Sequence, residues 1–197
     1  MTSLEARTLV PRAARQQALE MLAHDLLRLI GEDPERDGLK ATPARWARWW
    51  MEFVDGDPKD HDDDTTFDSA STDQMIVVRG VRVWSLCEHH LLPFWCDLTM
   101  AYIPTGRILG LSKFGRIARR FAGRLQVQER LVEQIATTLS LVTKSESVAV
   151  VGEGEHLCMT MRGTKQPHRM QTSDLRGAFR DNAAARQEFF SLAGDER

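Results

Sequence analysis

Two short runs decide the fold: QMIVVRGVRVWSL (74–86) and WCDLTMAYI (95–103). The first reads as two short strands, Gln74–Arg79 and Val81–Leu86, on either side of Gly80. The second alternates, which puts Cys96, Leu98, Met100 and Tyr102 on one face and predicts that this face is buried. Pro104-Thr105-Gly106 turns the chain into a further short strand, Arg107–Leu111. Beyond it, Lys113–Phe121 and Gln126–Lys144 read as helices. Ser147–Val151 and His156–Arg162 return to strand, and Phe179–Leu192 reads as a closing helix. Upstream, the apolar residues of 14–30 recur at three and four, the helix period, with a stop at Gly31. Thr42 is the expected N-cap of a second helix, with Pro43 at its first position. That helix carries Trp46, Trp49, Trp50 and Phe53, an aromatic stripe suited to a core or a subunit contact. The order helices, hairpin, helices, hairpin is an α+β pattern, not a βαβ repeat.

The 197 residues suffice for one domain and a short arm. A formal net charge of −2 excludes a basic nucleic-acid binder, so any anion must meet a local cluster. No apolar run approaches membrane-spanning length, and the first residues lack the apolar centre of a secretory signal. A cytoplasmic setting is expected, in which the three cysteines serve as metal ligands or small core residues and not as disulfides. The acidic stretch 55–73, with Asp62–Asp64, lacks the spaced ligands and turn glycine of a calcium loop and reads as a solvated loop.

Four clusters carry chemistry. In Cys87-Glu88-His89-His90, a cysteine and a histidine three apart on a turning strand can reach one metal ion. On a straight strand Cys87 and His89 would share a face instead, so spacing alone leaves the liganding histidine open. In the second cluster, alternation puts His156, Cys158, Thr160 and Arg162 on one strand face, with Leu157, Met159 and Met161 buried on the other. If Cys87, one histidine and Cys158 share a zinc ion, water takes the fourth place with a pKa lowered to about 7. The remaining imidazoles are then placed to move protons. Cys96 reads as core. In the third, Ser112 is the expected N-cap of a helix with Lys113 and Arg116 in its first turn. Cations there oppose the helix dipole unless an anion is bound between them. In the fourth, Gln128-Glu129, a carboxylate can accept the paired N1–H and 2-amino hydrogens of guanine.

Together, CEHHLLPF (87–94), GLSKFGRIARRFAGRLQVQERL (110–131) and HLCMTMRG (156–163) resemble GTP cyclohydrolase I. Weaker likeness extends over GEDPERDGLKATPARW (31–46) and FRDNAAARQEFFSL (179–192). The resemblance implies the tunnelling fold (T-fold): an antiparallel sheet with N-terminal helices, helices packed on one face, and a barrel built from several subunits. It implies a homodecamer with active sites between subunits. Composition and periodicity divide the chain into a flexible arm (1–13), a helical region (14–54), the acidic loop (55–73) and the remainder (74–197), which the resemblance makes a tunnelling-fold catalytic domain. It implies one zinc per subunit on Cys87, His90 and Cys158, with His89 and His156 as the proton-transferring histidines. Gln128 and Glu129 match the guanine-binding pair, and Ser112, Lys113, Arg116 and Arg162 match the residues that hold the triphosphate. The implied reaction converts GTP and water to 7,8-dihydroneopterin triphosphate and formate, for pterin and tetrahydrofolate or for 7-deazapurine synthesis. A non-catalytic GTP-binding or scaffolding relative is the alternative. The stretch TKQPHRM (164–170) departs from the family's small polar run, and Pro167 is expected to break strand pairing there.

Overall fold

The computed structural model describes residues 10–56, 65–69 and 73–194. The Asp62–Asp64 run and residues 1–9 of the arm lie outside them. The chain divides after Gly56 into two compact units.

The first unit is a pair of helices, α1 (Arg12–Leu29) and α2 (Thr42–Asp55). The first begins two residues earlier than the apolar period predicts, since Arg12 and Arg15 both reach the Asp55 carboxylate. It ends as expected. Gly31 adopts φ +87°, and the N–H groups of Gly31 and Glu32 close back on the carbonyls of Arg28 and Leu27. That pair of bonds satisfies carbonyls left open at a helix end, and glycine is the residue that reaches this conformation without strain. In α2 the N-cap position falls on Ala41 and not on Thr42, with Pro43 in the first turn. Trp50 packs edge-on against Trp46, Trp49 and Phe53, so the predicted aromatic stripe is a contiguous cluster.

The second unit is built on a five-stranded sheet ordered β5-β2-β3-β6-β7. Its strands are β2 (Ile76–Cys87), β3 (Pro93–Tyr102), β5 (Leu125–Gln126), β6 (Val148–His156) and β7 (Met170–Leu175). Three pairings are antiparallel, and β5 adds a two-residue parallel step beside Leu86 and Cys87. The two strands predicted around Gly80 are one. Between Val78 and Val81 the register slips by one residue, and Gly80 takes φ +71° there, so the glycine bulges the strand without ending it. Likewise Ser147–Val151 extends unbroken to His156. A small second sheet pairs β1 (Thr66–Asp68) with β4 (Arg107–Leu109), so part of the expected acidic loop is a strand.

The predicted face of β3 is the core. Cys96, Leu98, Met100 and Tyr102 are fully buried with Phe114, Ile117, Leu131, Ile135 and Leu139. Those partners come from α3 (Leu111–Ala122) and α4 (Gln128–Thr143), which cover this face. The opposite face is charged over its middle. Arg82 pairs with Asp97 and Arg169 with Glu153, and both guanidinium groups lie over the Trp95 ring at 4.5 and 5.6 Å. At the Ala101 and Ala149 end, that face is instead covered by Phe179 and Phe189 from α6 (Ala178–Asp181) and α7 (Ala183–Ala193). The helices therefore do not all lie on one face. Two alanines leave room for two phenylalanine rings. The closing helix is split because Asn182 caps α7, its Oδ1 accepting from the N–H groups of Ala184 and Ala185.

Candidate metal centre and the groups around it

Strand β2 delivers Cys87 to the edge of the core, where the turn 88–92 folds back over it. The Cys87 N–H bonds the Leu92 carbonyl at 2.8 Å, and the Cys87 carbonyl accepts from His90 and Leu91. Closing so tightly puts Leu91 at φ +55°, a conformation costly for a branched side chain and concentrated at functional sites. Glu88 is tied to Arg130 of α4, whose guanidinium holds the Glu88 carboxyl below the usual carboxylate range. Both histidines approach the Cys87 sulfur, His90 Nδ1 to 3.5 Å and His89 Nδ1 to 3.9 Å. His90 is the one that also reaches Cys158.

Cys158 arrives differently from the expectation. Strand β6 stops at His156, and Leu157–Thr160 is a single helical turn, α5, closed by the Met161 N–H on the Leu157 carbonyl. His156, Cys158, Thr160 and Arg162 therefore do not share a strand face, and Met159 and Met161 are exposed instead of buried. The turn swings Cys158 back toward the end of β2. Ligand atoms of Cys87, His90 and Cys158 all lie within 4.8 Å of one another. Around a tetrahedral ion, bonds of about 2.3 Å to sulfur and about 2.0 Å to nitrogen put ligand atoms roughly 3.5–3.8 Å apart, so side-chain shifts of up to about 1 Å would close the group on one ion. Burial pushes the Cys158 thiol up, and its neighbour Cys87 adds to the effect. A divalent cation reverses both penalties by neutralising adjacent thiolates. Two sulfurs and an imidazole suit zinc, not the oxygen-seeking magnesium or calcium. A four-coordinate ion held by these three residues would have one position left for water.

His156 sits at the end of β6 with its ring stacked on Phe94, centroids 4.3 Å apart and planes within 6°. Its Nε2 lies 3.1 Å from Gln128 Oε1. Burial holds its pKa below the ordinary histidine value, with the Glu129 carboxylate opposing. Glu129 is exposed beside the buried Gln128 at the start of α4. Ser112, Lys113 and Arg116 occupy the first turns of α3. The N-cap there is Gly110, which makes no side-chain cap, so Ser112 is inside the helix. Arg162 lies in the exposed stretch 161–169, near enough to favour the Cys158 thiolate. After Pro167 that stretch enters β7, which pairs with β6 from Met170 onward, so the proline precedes the strand instead of breaking it. Cys96 is core, its thiol pushed up to about 12 by burial. Sequence reasoning missed the Phe94 stack, although alternation with His156 across β3 and β6 follows once the register is known.

No helix among the described residues is long and apolar enough to cross a membrane. The family model for GTP cyclohydrolase I matches residues 19–194. GTP cyclohydrolase 1 1 of Pseudomonas aeruginosa is 46% identical over 180 residues, covering 90% of this chain and 97% of that protein. GTP cyclohydrolase 1 of Pelotomaculum thermopropionicum is 46% identical over 182 residues, covering 90% and 96%. GTP cyclohydrolase 1 of Campylobacter curvus is 43% identical over 181 residues, covering 90% and 95%. With a soft three-ligand group between the ends of β2 and β6 and likeness running through nine-tenths of its length, this chain belongs to the GTP cyclohydrolase I family of enzymes.

Proposed function

We propose that the chain is a zinc-dependent GTP cyclohydrolase I. It opens the imidazole ring of the guanine in GTP and recloses the product to 7,8-dihydroneopterin triphosphate, releasing formate. The observation that carries this reading is the convergence of Cys87, His90 and Cys158 from two distant strand ends, with His89 and His156 in the same two segments.

Zinc bound there supplies Lewis acidity and an activated water. The protein's own groups do the rest. His89 and His156 move protons at the purine ring, where protonation at N7 makes C8 electrophilic and later steps need protons returned. Burial disfavours the charged form of His156, which suits it to accept a proton and pass it on. Glu129 accepts the paired hydrogens of the guanine edge, with Gln128 beside it. Ser112, Lys113, Arg116 and Arg162 hold the triphosphate, and that remote binding energy fixes C8 against the reacting groups. A homodecamer with sites shared between subunits is the assembly that membership of this family suggests for the chain. The product serves pterin and tetrahydrofolate or 7-deazapurine synthesis in the cytoplasm.

The test is direct. Zinc-loaded protein incubated with GTP, then oxidised, should give a fluorescent pterin and an equal amount of formate. If neither forms, the proposal fails. Recognition of the base has its own expected result. Glu129→Ala should keep its zinc and lose GTP preference over ATP by about a hundredfold, because a site built for two hydrogen bonds discriminates through them. Competition kinetics with both nucleotides measures it, and unchanged selectivity would remove Glu129 from that role.

A further inference from the structure

We propose that Gln128 is a positioning residue for His156. Its buried amide fixes the imidazole with the hydrogen on Nε2 and leaves Nδ1 as the basic nitrogen. This rests on reading His156 as a proton-transfer residue of a cyclohydrolase site.

Gln128 opens α4 and is fully buried, although it stands at a helix start where glutamine is ordinarily solvated. Its Nε2 lies 3.1 Å from the Gly152 carbonyl, 3.0 Å from the Met170 carbonyl and 3.1 Å from Thr172 Oγ1. Two of these partners are carbonyl oxygens, which only accept. The amide nitrogen must therefore face them, because the flipped amide would set oxygen against oxygen in a buried place. Its oxygen then points the other way, at His156 Nε2, 3.1 Å off. An amide oxygen cannot donate, so the hydrogen between them belongs to the imidazole. Phe94 fixes the plane of the ring and Gln128 fixes its edge.

Fully buried, with its amide hydrogens directed at Gly152, Met170 and Thr172 and its oxygen at His156, the Gln128 side chain is turned away from a guanine. Its part in the reaction runs through His156, while Glu129, exposed next to it, is free to meet the base. The same amide reaches Met170, the first residue of β7. The divergent stretch 164–170 therefore ends on a group that helps orient a proton-transfer residue, which gives that departure a physical connection to the site.

The tautomer is measured on the zinc-loaded protein by nitrogen NMR with isotope-labelled histidine. The His156 signals are identified by their loss in His156→Asn. The proton is expected on Nε2, and finding it on Nδ1 overturns the proposal. In Gln128→Met, which keeps length and removes the hydrogen bonds, kcat should fall roughly ten- to a hundredfold, the loss typical of a misplaced general acid–base group, with KM for GTP within about twofold. The reverse split, raised KM with kcat retained, would mean that the side chain contacts the base, and would also overturn it. Thr172→Val removes one acceptor and leaves the amide in place. It should show the same kcat-only loss at smaller size, and it replaces Gln128→Met should that variant not fold. If the wild-type protein makes no pterin, the cyclohydrolase reading fails, while the NMR result still decides the tautomer.

Discussion

Cys158→Ser is expected to lose its zinc and its activity together. A serine hydroxyl stays protonated where a thiol beside a divalent cation ionises, so the substitution leaves two ligands of three. Metal content should fall from one per subunit to near zero, and pterin formation by at least about a thousandfold, since both the Lewis acid and the activated water are lost. The fold should survive, because Cys158 sits on the single turn α5 and not in the packed sheet. Cys96→Ser is the matched control. Cys96 is fully buried between β3 and α4, so the same atom exchange should leave metal binding intact and lower stability by about 1–3 kcal/mol through an unpaired hydroxyl. Metal analysis and thermal melts on both variants separate the two thiols. Stoichiometric zinc in Cys158→Ser would remove that residue from the ligand set.

Gly154→Ala is expected to damage both the fold and the site. A methyl group at 154 would collide with Gln128 Oε1 and would lie 2.5 Å from the Trp95 carbonyl oxygen. The first contact pushes the amide off His156. The second presses on backbone that is itself paired in the sheet and cannot yield cheaply. Overpacking of this kind costs about 2–4 kcal/mol, which a denaturant titration will detect. Gly152→Ala is the milder comparison. Its methyl would meet the Cys96 sulfur at 2.7 Å and Val132 Cγ2 at 3.1 Å, both side-chain atoms with some freedom to move. A Gly154→Ala protein as stable and as active as the parent would mean that α4 does not press on β6 as described.

The core was legible where one period ruled. Alternation named Cys96, Leu98, Met100 and Tyr102, and all four are buried. Elsewhere the same rule misled. Residues 156–162 alternate in polarity, yet the chain leaves the sheet at His156, because one helical turn with a Thr160 hydroxyl near the His156 carbonyl competes with strand pairing. That His90, and not His89, groups with Cys158 follows from the turn closed by Leu92 and Leu91, which spacing does not encode. Strand β7 was hidden behind Pro167, although pairing begins three residues later. The split of the closing helix was visible in principle, since asparagine before three alanines is a good cap. Gln128 gave no sign of being buried. Its position at a helix start looks solvated until the register brings Gly152 and Thr172 to it.

The two thiols of the centre stand about seventy residues apart along the chain. An ion bonded to both acts as a cross-link, and closing a loop of that length removes from the unfolded ensemble an entropy worth about 4 kcal/mol, much as a disulfide would. The cation is then a staple as well as a reagent. A strong chelator, in stripping it, should leave the protein folded at room temperature but lower its melting temperature, and Cys158→Ser should show the same fall.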